Sequence, residues 1–172
     1  MVHERAYDAV LFDLLTALLD SWTLWNEIAG DPERGRRWRG AYLEISYRAG
    51  AYQPYERLVR EAASMAGLPV SAADDLMRRY HELRPWPEAD EVLATLRRQR
   101  VRLAVVTNCS QALGAVAAAQ LATPVDLVVT AEEAGFYKPD PHPYRLALEA
   151  TRRPGAARRT GTTESGWRCP PM

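Results

Sequence analysis

Two short apolar runs, each stopping on hydrogen-bonding side chains, constrain the fold of this chain more than any other feature. Ala9-Val10-Leu11-Phe12 ends on Asp13, and Leu103-Ala104-Val105-Val106, within a strand read over 101–106, ends on Thr107-Asn108. Short apolar runs bounded by polar residues read as buried strands. An Ala-rich helical stretch over 110–121 follows the second run, and a third strand is read over 125–129, apolar apart from Asp126. Strand, helix and strand in that order imply a parallel βαβ sheet. Active sites of such sheets lie at the carboxyl ends of the strands. Asp13, Thr107 and Asn108 are placed there.

Between the first two strands the periodicity is helical. Ser21 is the expected cap of a helix holding Trp22, Trp25 and Ile28 and stopping near Gly30. Trp38, Tyr42 and Ile45 form one stripe, so 36–48 reads as an amphipathic helix. Leu58, Val59, Ala62, Ala63 and Ala66 repeat the pattern before Gly67, and Ser71 is expected to cap a further helix through Leu76, Met77 and Tyr80. Pro85-Trp86-Pro87 interrupts the pattern, because each Pro disfavours a helical predecessor. A helix over 88–98 then leads into the second strand. The expected architecture is a Rossmann-like α/β core, over 1–15 and 87–150, split by a helical cap over 16–86. The segment 151–172 has no Val, Ile, Leu or Phe, and its charges are Arg152, Arg153, Arg158, Arg159 and Arg168 against Glu164. It is expected to be irregular or disordered.

Charge and cysteine usage narrow the function classes. Lys+Arg and Asp+Glu both total 22, so the chain lacks the basic footprint of a nucleic-acid binder. No run approaches the roughly 18 apolar residues of a membrane span, and no signal-peptide pattern opens the chain. Cys109 and Cys169 form neither a disulfide framework nor a metal-spaced cluster, which suits the cytoplasm. All of the 22 basic residues except Lys138 are Arg. Lys138 stands in Gly135-Phe136-Tyr137-Lys138-Pro139-Asp140-Pro141-His142-Pro143-Tyr144, where three prolines restrict the backbone around one compact ammonium. Asp13 alone reads better as a helix cap than as a nucleophile, since caps are the commoner role, and Thr107-Asn108 reads also as a turn before a helix. A cysteine-phosphatase loop at Cys109 fails on Ala115, and no glycine-rich cradle surrounds Lys138. Asp74 and Asp75 point apart on a helix and are not an acid/base pair.

Taken together, Asp13, Thr107 and Lys138 in this order, with a long helical stretch after the first, resemble the haloacid dehalogenase-like hydrolase superfamily over about residues 7–150. Within it the chain is most similar to the L-2-haloacid dehalogenase group. Metal-dependent phosphatase members carry a second Asp two positions after the nucleophile; here that position is Leu15. The group's cap motif is matched by Trp38-Arg39-Gly40-Ala41-Tyr42-Leu43-Glu44, and its Tyr six residues after the loop Lys by Tyr144. Thr16-Ala17 stands where the group has Gly-Thr, so a hydroxyl survives one position early.

The resemblance implies an aspartyl-ester mechanism on a small carboxylate. Asp13 attacks the halogen-bearing carbon, halide leaves, and water hydrolyses the ester. Lys138 keeps Asp13 ionised. Thr107 and Asn108 complete the catalytic set. Arg39 pairs the substrate carboxylate and helps receive the halide, with Leu14, Thr16 and Tyr144 also lining the substrate. No cofactor or metal is implied. The alternative within the superfamily is a small-molecule phosphatase, with Mg²⁺ on Asp13 and another acid in place of Leu15. The family's fourth motif, an apolar strand closing on an acidic signature, has no counterpart after Ala150, so the last strands are expected to be absent. A catalytically impaired remnant that self-associates or dimerises through exposed apolar surface is the non-enzyme alternative.

Overall fold

The computed structural model describes residues 7–152. Three parallel strands, β1 (Ala9–Phe12), β4 (Arg102–Thr107) and β5 (Leu127–Thr130), form a sheet in the order β1-β4-β5. Phe12 lies opposite Val105, and Thr107 opposite Thr130, so the carboxyl ends open on the same side. Strand alternation sorts the side chains onto two faces. Val106 and Val129 pack with Ala147 of helix α8 (Pro141–Arg152), joined by Leu11 and Leu127. Leu103 and Val105 belong to the main core on the other face, with Phe12 and Val128 packed against it. A parallel sheet covered on both faces needs apolar residues at successive positions, hence the stretches Ala9–Phe12, 103–106 and 127–129.

The expected helical stretch forms α1 (Ser21–Ala29), α2 (Pro32–Ala49), α3 (Tyr55–Met65), α4 (Ser71–Arg78) and a short 3-10 turn, Tyr80–Glu82. Its aromatic residues fill the main core: Trp25 and Trp38 meet at a tilt of 50° with centroids 4.5 Å apart, and Tyr55 meets Tyr42 and Tyr80 edge-on. The same apolar cluster runs from Trp38 and Leu58 to Leu103 and Val105 without a gap. Helix α5 (Ala89–Arg98) returns to β4, α6 (Gln111–Ala118) links β4 to β5, and α7 (Ala131–Ala134) precedes the Lys138 loop.

Several expectations are corrected. Asp20, not Ser21, caps α1: its carboxylate accepts from Thr23 N at 3.1 Å and Thr23 Oγ1 at 2.6 Å, while the Ser21 hydroxyl turns inward. Gly30 ends the helix in the left-handed region at φ 92°. Ser71 makes no cap either, because Ala72 N and Ala73 N are taken by the carbonyls of Pro69 and Val70. A two-residue antiparallel ladder absent from the sequence reading joins β2 (Leu19–Asp20) to β3 (Arg84–Pro85), closing the point where the chain leaves the sheet and returns. It is too short to leave a period. Pro141 and Pro143 lie in the first turn of α8 rather than in a loop, since that turn's N–H groups have no intrahelical acceptor to lose. Thr151 and Arg152 belong to the end of α8, not to an irregular tail; the rest of that expected tail lies outside the described residues.

Candidate active site

Asp13 follows β1 directly, at the point where the strand stops and a turn begins. Its two carboxylate oxygens have different partners. Oδ2 accepts from Thr16 N at 2.9 Å and from Thr16 Oγ1 at 2.6 Å. Oδ1 accepts from Lys138 Nζ at 2.6 Å. The cap-like turn and the ion pair are therefore both present, one on each oxygen. Burial pushes the Asp13 carboxyl up, but the Lys138 charge, its hydrogen bond and the Thr16 donors outweigh it and hold the group below the ordinary 3.8. The Asp13 side chain is 34% exposed and that of Lys138 15%, so the anion faces outward and the ammonium lies behind it.

Three further contacts fix Lys138. Its Nζ also donates to the Val106 carbonyl at 2.6 Å, near the end of β4. Its backbone is clamped by the Asn108 carboxamide: Asn108 Nδ2 donates to Lys138 O at 3.1 Å, and Lys138 N donates to Asn108 Oδ1 at 2.7 Å. Tyr42 Oη of α2 donates to the Asn108 carbonyl at 2.6 Å. Nearby, the Tyr137 hydroxyl donates to Gln53 O at 2.8 Å, and Tyr52 N donates to Gly135 O at 2.7 Å. The loop that carries Lys138 is tied to the strand end on one side and to the α2–α3 connection on the other.

Arg39 of α2 is 6% exposed and forms no ion pair among the described residues. Its guanidinium carbon lies 4.4 Å from the Trp22 ring centroid and 5.5 Å from that of Trp25, and its Nη1 donates to Ser21 Oγ. Burial lowers its hold on the proton; Tyr55, Tyr80 and then Asp13 act in the opposite sense. A desolvated guanidinium with aromatic faces and one neutral hydroxyl has donors left for an anion.

The sequence-predicted residues fall into two groups. Asp13, Thr16, Lys138 and Asn108 are joined by hydrogen bonds, and Arg39 lies close enough to sense the Asp13 charge. Thr107 ends β4 but is 1% exposed; its Oγ1 accepts from Cys109 Sγ at 3.7 Å and makes no hydrogen bond to Asp13 or Lys138. The Leu14 side chain is fully buried, which leaves only its backbone for a ligand, and Tyr144 is 40% exposed on α8. Sequence reasoning missed Tyr42, Ser21 and Trp86, whose Nε1 donates to Thr16 O at 2.9 Å. In the sequence Tyr42 is legible as part of a helix stripe and the cap motif and Trp86 as part of a break in the pattern, since periodicity records faces and not where a hydroxyl or indole N–H ends. Among the described residues no group of three or more His, Cys, Asp and Glu side chains could hold a metal ion. None of their helices is long and apolar enough to cross a membrane.

The model of the haloacid dehalogenase-like hydrolase family matches residues 7–157. The (S)-2-haloacid dehalogenase 1 of Pseudomonas sp. (strain CBS-3) is 30% identical over 157 residues, covering 82% of this chain and 69% of the relative. The structure of L-2-haloacid dehalogenase from Xanthobacter autotrophicus matches with a TM-score of 0.71 at 25% identity, covering 83% of this chain and 64% of that one. The phosphoserine phosphatase of Thermus thermophilus is 36% identical over 99 residues, 54% of this chain and 40% of the relative.

Proposed function

The chain belongs to the haloacid dehalogenase-like hydrolase family, and from that premise we propose that it hydrolyses 2-haloacids to 2-hydroxyacids through an ester on Asp13. The observation that carries this reading is the pairing of an ionised, outward-facing Asp13 with a buried Arg39 that has no anionic partner among the described residues. A substrate carboxylate supplies the missing anion at Arg39.

The step follows from the lone pairs. An ionised carboxylate offers about four acceptor sites. Thr16 occupies two on Oδ2 and Lys138 one on Oδ1, so Oδ1 keeps an electron pair for attack. The new bond runs from Oδ1 to the substrate α-carbon, the carbon–halogen bond breaks, and halide leaves with its electron pair. Water then adds to the ester carbonyl of Asp13. The α-carbon keeps its new oxygen as a hydroxyl, Asp13 is restored, and one proton is released. Lys138 holds Asp13 anionic before attack and neutralises it again after hydrolysis. Asn108 acts through the Lys138 backbone, and the helices over 16–86 serve as a cap that brings Arg39 to the site. A cytoplasmic location is part of the proposal, on the cysteine usage.

The competing reading is a Mg²⁺-dependent phosphatase, favoured by the phosphoserine phosphatase relative. Among the described residues the donor set does not fit that ion: the Leu15 side chain offers no oxygen and its carbonyl accepts from Ser21, Thr16 fills Asp13 Oδ2, and the pair left on Oδ1 beside Lys138 is the one the attack uses. The deciding experiment measures halide release from 2-chloropropionate beside phosphate release with and without Mg²⁺. Halide release that needs no metal is expected. Metal-dependent phosphate release without halide release reverses the order.

A further inference from the structure

Ser21 is the first residue of α1, and its side chain points into the molecule; the residue is 1% exposed. Its hydroxyl joins two separate parts of the site. Arg39 Nη1 donates to Ser21 Oγ, and Ser21 Oγ donates to the Leu15 carbonyl. The direction of both bonds is forced. A guanidinium only donates and a carbonyl only accepts, so the one hydroxyl proton goes to Leu15 and a lone pair faces Arg39.

The relay therefore ties the guanidinium to the turn that opens at Asp13. Trp22, the next residue, lies against the same guanidinium, so one turn of α1 restrains Arg39 by face and by edge. Thr16 follows Leu15 in that turn and holds Asp13 Oδ2, while Trp86 holds the Thr16 carbonyl. The two charges that a 2-haloacid would touch are thus set relative to each other by neutral groups.

We propose that Ser21 is a positioning residue for the substrate carboxylate: it fixes the Arg39 guanidinium against the Asp13 turn. This rests on the dehalogenase reading of the site. The physical consequence is specific. Without the hydroxyl, one Arg39 N–H and the buried Leu15 carbonyl both lose their partner, and the guanidinium is free to swing over the Trp22 ring. Carboxylates then bind a less ordered partner, and the loss appears in affinity.

The test uses the full chain and L-lactate, a 2-hydroxycarboxylate without a leaving group. Lactate affinity is read by calorimetry, alongside kinetics of halide release from 2-chloropropionate. S21A and S21C each weaken lactate about tenfold and raise KM by a similar factor, with a smaller fall in kcat. S21C keeps the side-chain volume, so it reports on the hydrogen bonds should S21A fold poorly. In an R39A background, S21A adds no further loss, because Ser21 acts through Arg39. Unchanged lactate affinity in both Ser21 variants, or losses that simply add to R39A, overturns the role of Ser21 and leaves the dehalogenase reading standing. A wild-type protein that neither binds lactate nor releases halide overturns both.

Discussion

Asp13 and Lys138 lie far apart in the sequence yet share a 2.6 Å contact, and the consequences of that pair are open to titration. The folded-state pKa of Asp13 lies below its ordinary value of 3.8, so its contribution to stability is fully present above about pH 4. It is lost as pH falls through the lower folded value. With Asp13 as the proposed nucleophile, the acid limb of kcat/KM accordingly lies below pH 4. In K138M the opposing cause, burial, acts without the ammonium, so the limb moves upward in pH while turnover falls by about 10²-fold or more. A profile that stays in place in K138M rules out Lys138 as the group that keeps Asp13 ionised. D13N removes the proposed nucleophile and should lower halide release by on the order of 10⁴-fold; full turnover in that variant removes Asp13 from the role.

Among the elements, α2 shows how closely the site helices are packed. A Cβ on Gly35 would stand 2.1 Å from Asn26 Oδ1 and 2.8 Å from Asn26 Cα of α1. The side-chain atom could move aside, but the backbone atom could not without parting the two helices. G35A is therefore expected to destabilise by about 1–3 kcal/mol and to disturb the Arg39 contacts to Trp22 and Ser21, measured by urea unfolding beside the KM for 2-chloropropionate. Gly40 lies on the exposed side of the same helix with nothing within 4 Å of its added Cβ. G40A should stabilise by about 0.5–1 kcal/mol, since it only removes backbone freedom from a helix interior. The opposite signs separate tertiary contact from propensity within one helix. A destabilised G40A, or a neutral G35A, contradicts the packing described.

At the scale of the whole molecule, the apolar cluster passes from Trp38, Tyr55 and Leu58 into Leu103 and Val105 without interruption, and polar ties reinforce the passage. Besides Tyr42 on Asn108, the Ser110 hydroxyl donates to Glu56 Oε1 at 2.8 Å. Helices and sheet are thus expected to unfold as one cooperative unit, with coincident far-ultraviolet and tryptophan transitions. Two separated transitions show instead that the helical part folds alone. Y42F should lower stability by about 1–2 kcal/mol and loosen the Lys138 loop, because the Asn108 carbonyl loses its buried donor. The sequence by itself determined the parallel strands, the helical stretch and the placing of Asp13, Thr107 and Asn108 at strand ends, because burial on both faces of a parallel sheet leaves apolar stretches whose ends are marked by polar residues; the order of the strands in the sheet came from the tertiary structure. The sequence also exposed Lys138 through the Arg bias and Leu15 through its lack of an acid. Tertiary structure alone decided that Asn108 clamps the Lys138 backbone, that Tyr42 and Ser21 face the site rather than simply packing or capping, and that Thr107 turns toward Cys109. Those outcomes depend on where the ends of side chains meet across elements distant in the chain. Periodicity fixes which face a residue occupies; only packing fixes which partner its last atom finds.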